Sequence, residues 1–94
     1  MVAITLCAAP NARRPDVERH QLLDALWATA ERGDRLEHVF AQVGSGRIDV
    51  VVFVMADNPH QAARAAERIH RRALLRSPVL SGWHITAVRG PDAR

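Results

Sequence analysis

The chain lacks lysine and tyrosine, has one cysteine, and is only 4% aromatic over its 94 residues. A lone cysteine excludes an internal disulfide and favours a reducing compartment, so we expect a cytoplasmic protein. No apolar run approaches the ~20 residues that span a bilayer, and no basic segment precedes apolar residues 2–9. We therefore expect neither membrane association nor a signal peptide.

The net charge is small, but the choice of basic residue is unusual. All 13 basic side chains are arginine, and the formal net charge is only +3. Enrichment in arginine and alanine without lysine is typical of GC-rich coding sequences, so arginine content alone does not indicate phosphate binding. The balance of 48% apolar and 24% charged residues is ordinary for a soluble domain. We expect one domain, residues 1–94, with residues 89–94 as a frayed tail.

The most informative stretch is residues 47–55, Arg-Ile-Asp-Val-Val-Val-Phe-Val-Met. It is rich in β-branched residues and apolar at both alternating sets of positions. Strands open to water on one face alternate apolar and polar residues, whereas this pattern is typical of a strand covered on both faces. We predict a central strand here.

Other strands are predicted at residues 2–7, 36–43 and 83–88. Gly44-Ser45-Gly46 marks a hairpin turn. If Ser45 and Gly46 form a two-residue loop, Val43 pairs with Ile48 and His38 and Phe40 lie beside Phe53 and Val51. A three-residue loop would shift the pairing and exchange the faces.

Two helices are predicted. The first covers residues 15–32, with Pro15 in its first turn, acidic Asp16 and Glu18 near its start, and Gly33 as its stop. The second begins after Asn58, a favourable N-cap followed by Pro59 and Gln61, and ends near Arg76. Their apolar stripes are Leu22, Leu23, Leu26, Trp27 and Ala30 in the first, and Ala62, Ala65, Ala66, Ile69 and Ala73 in the second.

The resulting order is βαββαβ. Right-handed crossovers place both helices on one face of a four-stranded antiparallel sheet with strand order 4-1-3-2. This α+β arrangement is the ferredoxin-like, or split βαβ, architecture.

Two helices cover only one face of such a sheet. By the predicted register the other face carries Ala3, Thr5, Cys7, Leu36, His38, Phe40, Val51, Phe53, Met55, His84 and Thr86. An apolar patch of this kind usually marks an interface, so we expect a non-catalytic interaction module that forms a homodimer or binds another protein. The alternatives are a small-molecule-sensing regulatory domain, using the loop of residues 10–14 or the dimer cleft, and a dimeric α+β-barrel enzyme with His84, His38 and Cys7 in its pocket.

No motif predicts a catalytic residue, metal or cofactor. Cys7 and Arg13 have the spacing of thiolate phosphatases, but the loop lacks glycine and Arg14 replaces the usual Ser or Thr. Cys7, His38 and His84 share a face without metal-ligand spacing. Asp49 and Asp57 form no evident acid–base pair.

Basic side chains follow the second helix at four-residue intervals. Arg64, Arg68, Arg72 and Arg76, with Arg71, predict a ridge that could contact anions, although a solvated face is the simpler reading and nucleic-acid binding is disfavoured. His20, His60 and His70 are predicted to be solvated on helix surfaces.

Overall fold

The computed structural model describes residues 1–12 and 16–90. Its strands and helices occur in the order β1, α1, β2, β3, α2, β4, with short 3-10 turns at Arg32–Asp34 and Pro78–Leu80. Their bounds are β1 Val2–Ala8, α1 Arg19–Thr29, β2 Leu36–Gly44, β3 Arg47–Val54, α2 Pro59–Arg76 and β4 Trp83–Arg89.

The four strands form one antiparallel sheet in the order β2-β3-β1-β4, which reads 4-1-3-2 from the opposite edge. The predicted α+β class, with an open four-stranded antiparallel sheet and two helices, is confirmed. Residues 91–94 of the expected tail lie outside the described residues, and Arg89 belongs to β4.

One face of the sheet forms the core under the two helices. Val2, Ile4 and Leu6 on β1, and Ile48, Val50 and Val52 on β3, are at most 1% exposed. These residues alternate along their strands, so the other parity faces away from the helices. The shortest dimension of the molecule, 18 Å, accommodates the sheet and a single helix layer.

The β2–β3 hairpin has the predicted two-residue register. Val43 lies opposite Ile48, and Phe40 lies opposite Val51. The turn is closed by Gly46, whose φ of 72° favours glycine.

A β-bulge corrects one facing prediction on β2. The register shifts between Leu36 and His38, so that Leu36 pairs with Val54 while His38 pairs with Phe53. The extra residue, Glu37, rotates Leu36 onto the helix-covered side, where it packs against the core. Leu36 is therefore not on the open face as predicted.

Helix α1 is shorter than predicted. It begins at Arg19, so Asp16 precedes it and Glu18 is its N-cap, where the Glu18 backbone N–H donates to Gln21 Oε1 over 3.2 Å. The predicted start, Pro15, lies outside the described residues. The helix ends at Thr29, whose buried hydroxyl donates to the carbonyl of Ala25 over 2.8 Å.

The predicted apolar stripe of α1 is also partly wrong. Its buried residues are Leu22, Ala25, Leu26 and Thr29. Trp27 is 47% exposed, because at 3.6 residues per turn it lies almost opposite the centre of this buried set.

Helix α2 matches its prediction. The Asn58 side chain accepts a 2.9 Å hydrogen bond from the backbone N–H of Gln61, and the helix runs from Pro59 to Arg76. All five residues of its predicted stripe are buried. Neither described helix combines the length and apolarity that crossing a membrane requires.

Candidate interface on the open sheet face

The uncovered side of the sheet, here called the open face, consists of three cross-strand rows. Their members follow from the strand pairings and run from β2 to β4. They are Phe40–Val51–Ala3–Arg89, Gln42–Asp49–Thr5–Ala87 and Gly44–Arg47–Cys7–His84. His38 and Phe53 pair beyond the first row, and Thr86 occupies the irregular position of β4.

An aromatic cluster occupies one corner of the open face. The ring centroids of Phe40 and Phe53 are 6.0 Å apart in an edge-to-face arrangement, and His38 lies 6.4 Å from each. Such pairs are favourable beyond the area they bury. Phe40 nevertheless remains 61% exposed, so the cluster leaves apolar surface in contact with solvent.

A charged network occupies the opposite half of the face. Asp49 accepts a 2.9 Å hydrogen bond from the Thr5 hydroxyl at Oδ1 and a 3.1 Å bond from Arg47 Nε at Oδ2. The hydrogen bond from Arg47 is the main cause that lowers the pKa of Asp49; partial burial raises it, and Thr5 and Arg89 lower it further.

The sequence reasoning missed Asp49 and Arg47 as residues of this face. Their signal was available, because Arg47 and Asp49 have the same parity as Val51 and Phe53 on β3.

Cys7 lies between Arg47 on β3 and His84 on β4. Its Sγ is 3.6 Å from Thr86 Oγ1, which in turn donates to the Thr5 carbonyl over 3.3 Å. His38, two strands away, does not join them, and no group of three metal-ligating side chains occurs among the described residues. Arg13, the other half of the phosphatase-like spacing, lies outside the described residues together with Arg14.

Met55 is less central than predicted. It follows the last residue of β3 and is 54% exposed. Its backbone N–H donates to the Arg35 carbonyl over 3.0 Å. Its side chain lines a groove beside α2.

The predicted arginine ridge is divided. Side chains four residues apart rotate about 40° around a helix with each step, so the row winds toward the core. Arg72 consequently points inward, donates to the Thr29 carbonyl over 3.0 Å and pairs with the buried carboxylate of Asp34. Arg71 pairs with Glu67 at 2.7 Å. Arg64, Arg68 and Arg76 keep exposed positions.

The prediction for His70 is wrong, whereas His20 and His60 are exposed as expected. His70 has no exposed surface. Its Nδ1–H donates to the Ala66 carbonyl over 2.8 Å, and its Nε2 has no hydrogen-bond partner among the described residues. Burial lowers the pKa of His70, and the bond to Ala66 opposes that shift.

Comparison with known proteins gave no match to a family model, to a curated protein or to a solved structure.

Proposed function

We propose that the protein is a ferredoxin-like self-association module in which two copies pack open face to open face. The βαββαβ order and the sheet order support this architecture. We further propose a cytoplasmic location, which is consistent with a single free cysteine.

The aromatic cluster carries the proposal. Burying a Phe, Val or Met side chain stabilises by about 1.5–3 kcal/mol. Phe40 is 61% exposed, so in the single chain it lacks most of this stabilisation. Its neighbour Phe53 is half-buried and lacks part of it. Exposed apolar surface that is continuous and bordered by polar groups is characteristic of interfaces.

The composition of the face favours a second copy as the occupant. Besides the aromatic corner it presents one carboxylate, Asp49, and two guanidinium groups, Arg47 and Arg89. A surface with charges of both signs can pair with itself when a two-fold axis relates the copies.

The size of the face predicts modest affinity. Four strands about 4.8 Å apart, each about seven residues long, give a face of roughly 19 by 24 Å. The faces of two copies would therefore cover about 900 Å² in total in projection, which is below the roughly 1,000 Å² of stable interfaces and in the range of weak, transient ones. We expect a dimer whose population depends on concentration.

Exchanging Phe40 for glutamate tests the proposal. Phe40→Glu places a charge in the aromatic corner and should shift sedimentation toward the monomer at concentrations where the wild type is dimeric. Leu75→Glu is the matched control, because Leu75 is 86% exposed on α2, away from the sheet. Phe40→Thr removes the ring while keeping a good strand former.

The outcome separates the explanations. Loss of dimer in both Phe40 variants, with circular dichroism unchanged and Leu75→Glu unaffected, supports the proposal. A wild type that sediments as a monomer at every concentration, or a dimer insensitive to Phe40, contradicts it.

A further inference from the structure

A groove of about 550 Å³ lies outside the open face, where the end of β3 and the turn before β2 approach the start of α2. Its volume is within the range of small-molecule sites. Its walls combine three arginines, Arg35, Arg64 and Arg68, with the exposed thioether of Met55. The groove thus pairs cationic groups with an apolar surface.

Two of these arginines make no ion pair with a carboxylate among the described residues. Arg35 and Arg64 form no ion pair within residues 1–12 and 16–90. Both side chains are exposed and line the groove. Guanidinium groups bind carboxylate and phosphate oxygens through parallel hydrogen bonds, and here those donors are available.

The third arginine, Arg68, forms an ion pair with the buried carboxylate of Asp34. Arg68 Nη2 lies 3.7 Å from Asp34 Oδ1, and the Asp34 side chain is 4% exposed. Arg72 pairs with the other oxygen of the same carboxylate, and the Glu31 N–H donates to that oxygen over 2.8 Å. Asp34 is thus shared between Arg72 and Arg68, and Arg72 Nη1 also lies 3.8 Å from Glu31 Oε1. The unpaired positive charge of the groove is therefore that of Arg35 and Arg64.

The backbone at Arg35 places its side chain at the rim. Arg35 adopts the left-handed conformation, with φ 56° and ψ 44°, which non-glycine residues rarely adopt. Hydrogen bonds on both sides maintain it. The Arg35 N–H donates to Arg32 over 3.2 Å, and its carbonyl accepts from the Met55 N–H over 3.0 Å. Strained residues of this kind concentrate at ligand sites.

From these observations we infer that the groove binds a small organic anion, with its carboxylate or phosphate on Arg35, Arg64 and Arg68 and its apolar part against Met55. Asp57 is a further carboxylate in the lining. It opposes an extended polyanion, so a small ligand fits better than a nucleic-acid backbone. The site is independent of self-association.

Amide-resolved NMR titration tests the inference with four defined probes. Phenyl phosphate and 3-phenylpropionate carry the two candidate anions on an apolar group, inorganic phosphate lacks that group, and benzyl alcohol lacks the charge. We expect saturable shifts at Arg35 and at residues 55–68 for at least one of the aromatic anions, with weaker binding of inorganic phosphate and none of benzyl alcohol. Comparison of the two aromatic anions identifies the preferred head group.

Three variants locate the binding. Arg64→Gln should weaken it about tenfold, as expected for loss of a charged hydrogen-bond donor. Arg76→Gln makes the same charge change on the same helix, outside the groove, and should leave affinity unchanged. Arg35→Gly removes the guanidinium but suits the left-handed backbone, so it should weaken binding without harming the fold.

The result can go against the site in three ways. Absence of saturable shifts with both aromatic anions at millimolar concentration would overturn it. Equal losses in Arg64→Gln and Arg76→Gln would show unspecific charge attraction instead. Full affinity in Arg35→Gly and Arg64→Gln would also reject it. Since Phe40→Glu should bind these probes like the wild type, failure of this inference is distinguishable from failure of the dimer.

Discussion

Replacement of His70 by leucine should stabilise the protein, although His70 is completely buried. The imidazole makes one hydrogen bond, from Nδ1 to the Ala66 carbonyl, and its Nε2 lone pair is buried without a partner among the described residues. Leaving a buried polar group unsatisfied costs about 1–3 kcal/mol. Leucine has a similar volume and no polar atom, so it avoids this cost.

The gain should depend on pH. Burial lowers the native pKa of His70 below its ordinary value of 6.5. The unfolded chain therefore binds more protons than the native protein below that pH, and the free energy of unfolding falls as the solution is acidified. Neutral His70 makes its full contribution to the free energy of unfolding above pH 6.5. Below that pH the free energy of unfolding falls by up to about 1.4 kcal/mol per pH unit, until the native pKa of His70 is reached.

Urea denaturation of the wild type and His70→Leu between about pH 5 and 8 measures both effects. We expect His70→Leu to be more stable by about 1–2 kcal/mol at neutral pH, with the difference growing as pH falls through the histidine range. His20→Leu, at an exposed position, should keep the wild-type slope. A less stable His70→Leu protein with the same pH slope as the wild type would refute the reasoning.

Three further substitutions probe the fold by thermal or urea unfolding. Asp34→Ala leaves the largely buried guanidinium of Arg72 without its carboxylate and should cost about 3 kcal/mol; a loss under about 1 kcal/mol would show that the pair is exchanged readily for water. Gly82→Ala should destabilise by about 2 kcal/mol or more, because φ is 86° and the new Cβ would lie 2.6 Å from Ala12 Cα; unchanged stability would mean that this loop moves freely. Asn58→Ala removes the N-cap of α2 and should cost about 1 kcal/mol, whereas Asn58→Asp should be nearly neutral.

The positions of the central strands, of the hairpin and of helix α2 could be predicted from local patterns in the sequence. Alternation along residues 2–7, and apolar residues at both alternating sets of positions along residues 47–55, identified the two central strands. The Gly44-Ser45-Gly46 turn predicted a hairpin with two possible loop lengths, of which the two-residue loop occurs. Asn58, Pro59 and Gln61 located the start of α2, because capping depends on neighbouring residues alone.

The features that sequence reasoning missed depend on contacts between distant segments. The burial of His70 is an exception, because His70 lies four residues after Ala66 and three before Ala73, so helical periodicity alone places it on the buried face of α2. Arg72 turns inward because Asp34, 38 residues earlier, supplies a buried carboxylate. The bulge at Glu37 shifts one residue of β2, and that shift alone moves Leu36 from one face of the sheet to the other.

The same limit applies to the candidate sites. The alternation of residues between the two faces of a strand was enough to predict that His38, Phe40 and Phe53 lie together on the open face. The groove beside α2 joins residues 33–35, 55–57 and 60–68, which no periodic pattern connects. Only the folded chain brings Arg35 next to Arg64 and Arg68.

Isotope-filtered NMR on an equal mixture of labelled and unlabelled wild-type protein tests the proposed association most directly. Contacts between copies should appear at the rings of Phe40 and Phe53, and Leu75 on α2 should show none. The accompanying molar mass should rise from 10.4 kDa toward twice that value with concentration. A mass that stays at 10.4 kDa, or contacts between copies confined to the helices, would contradict the account.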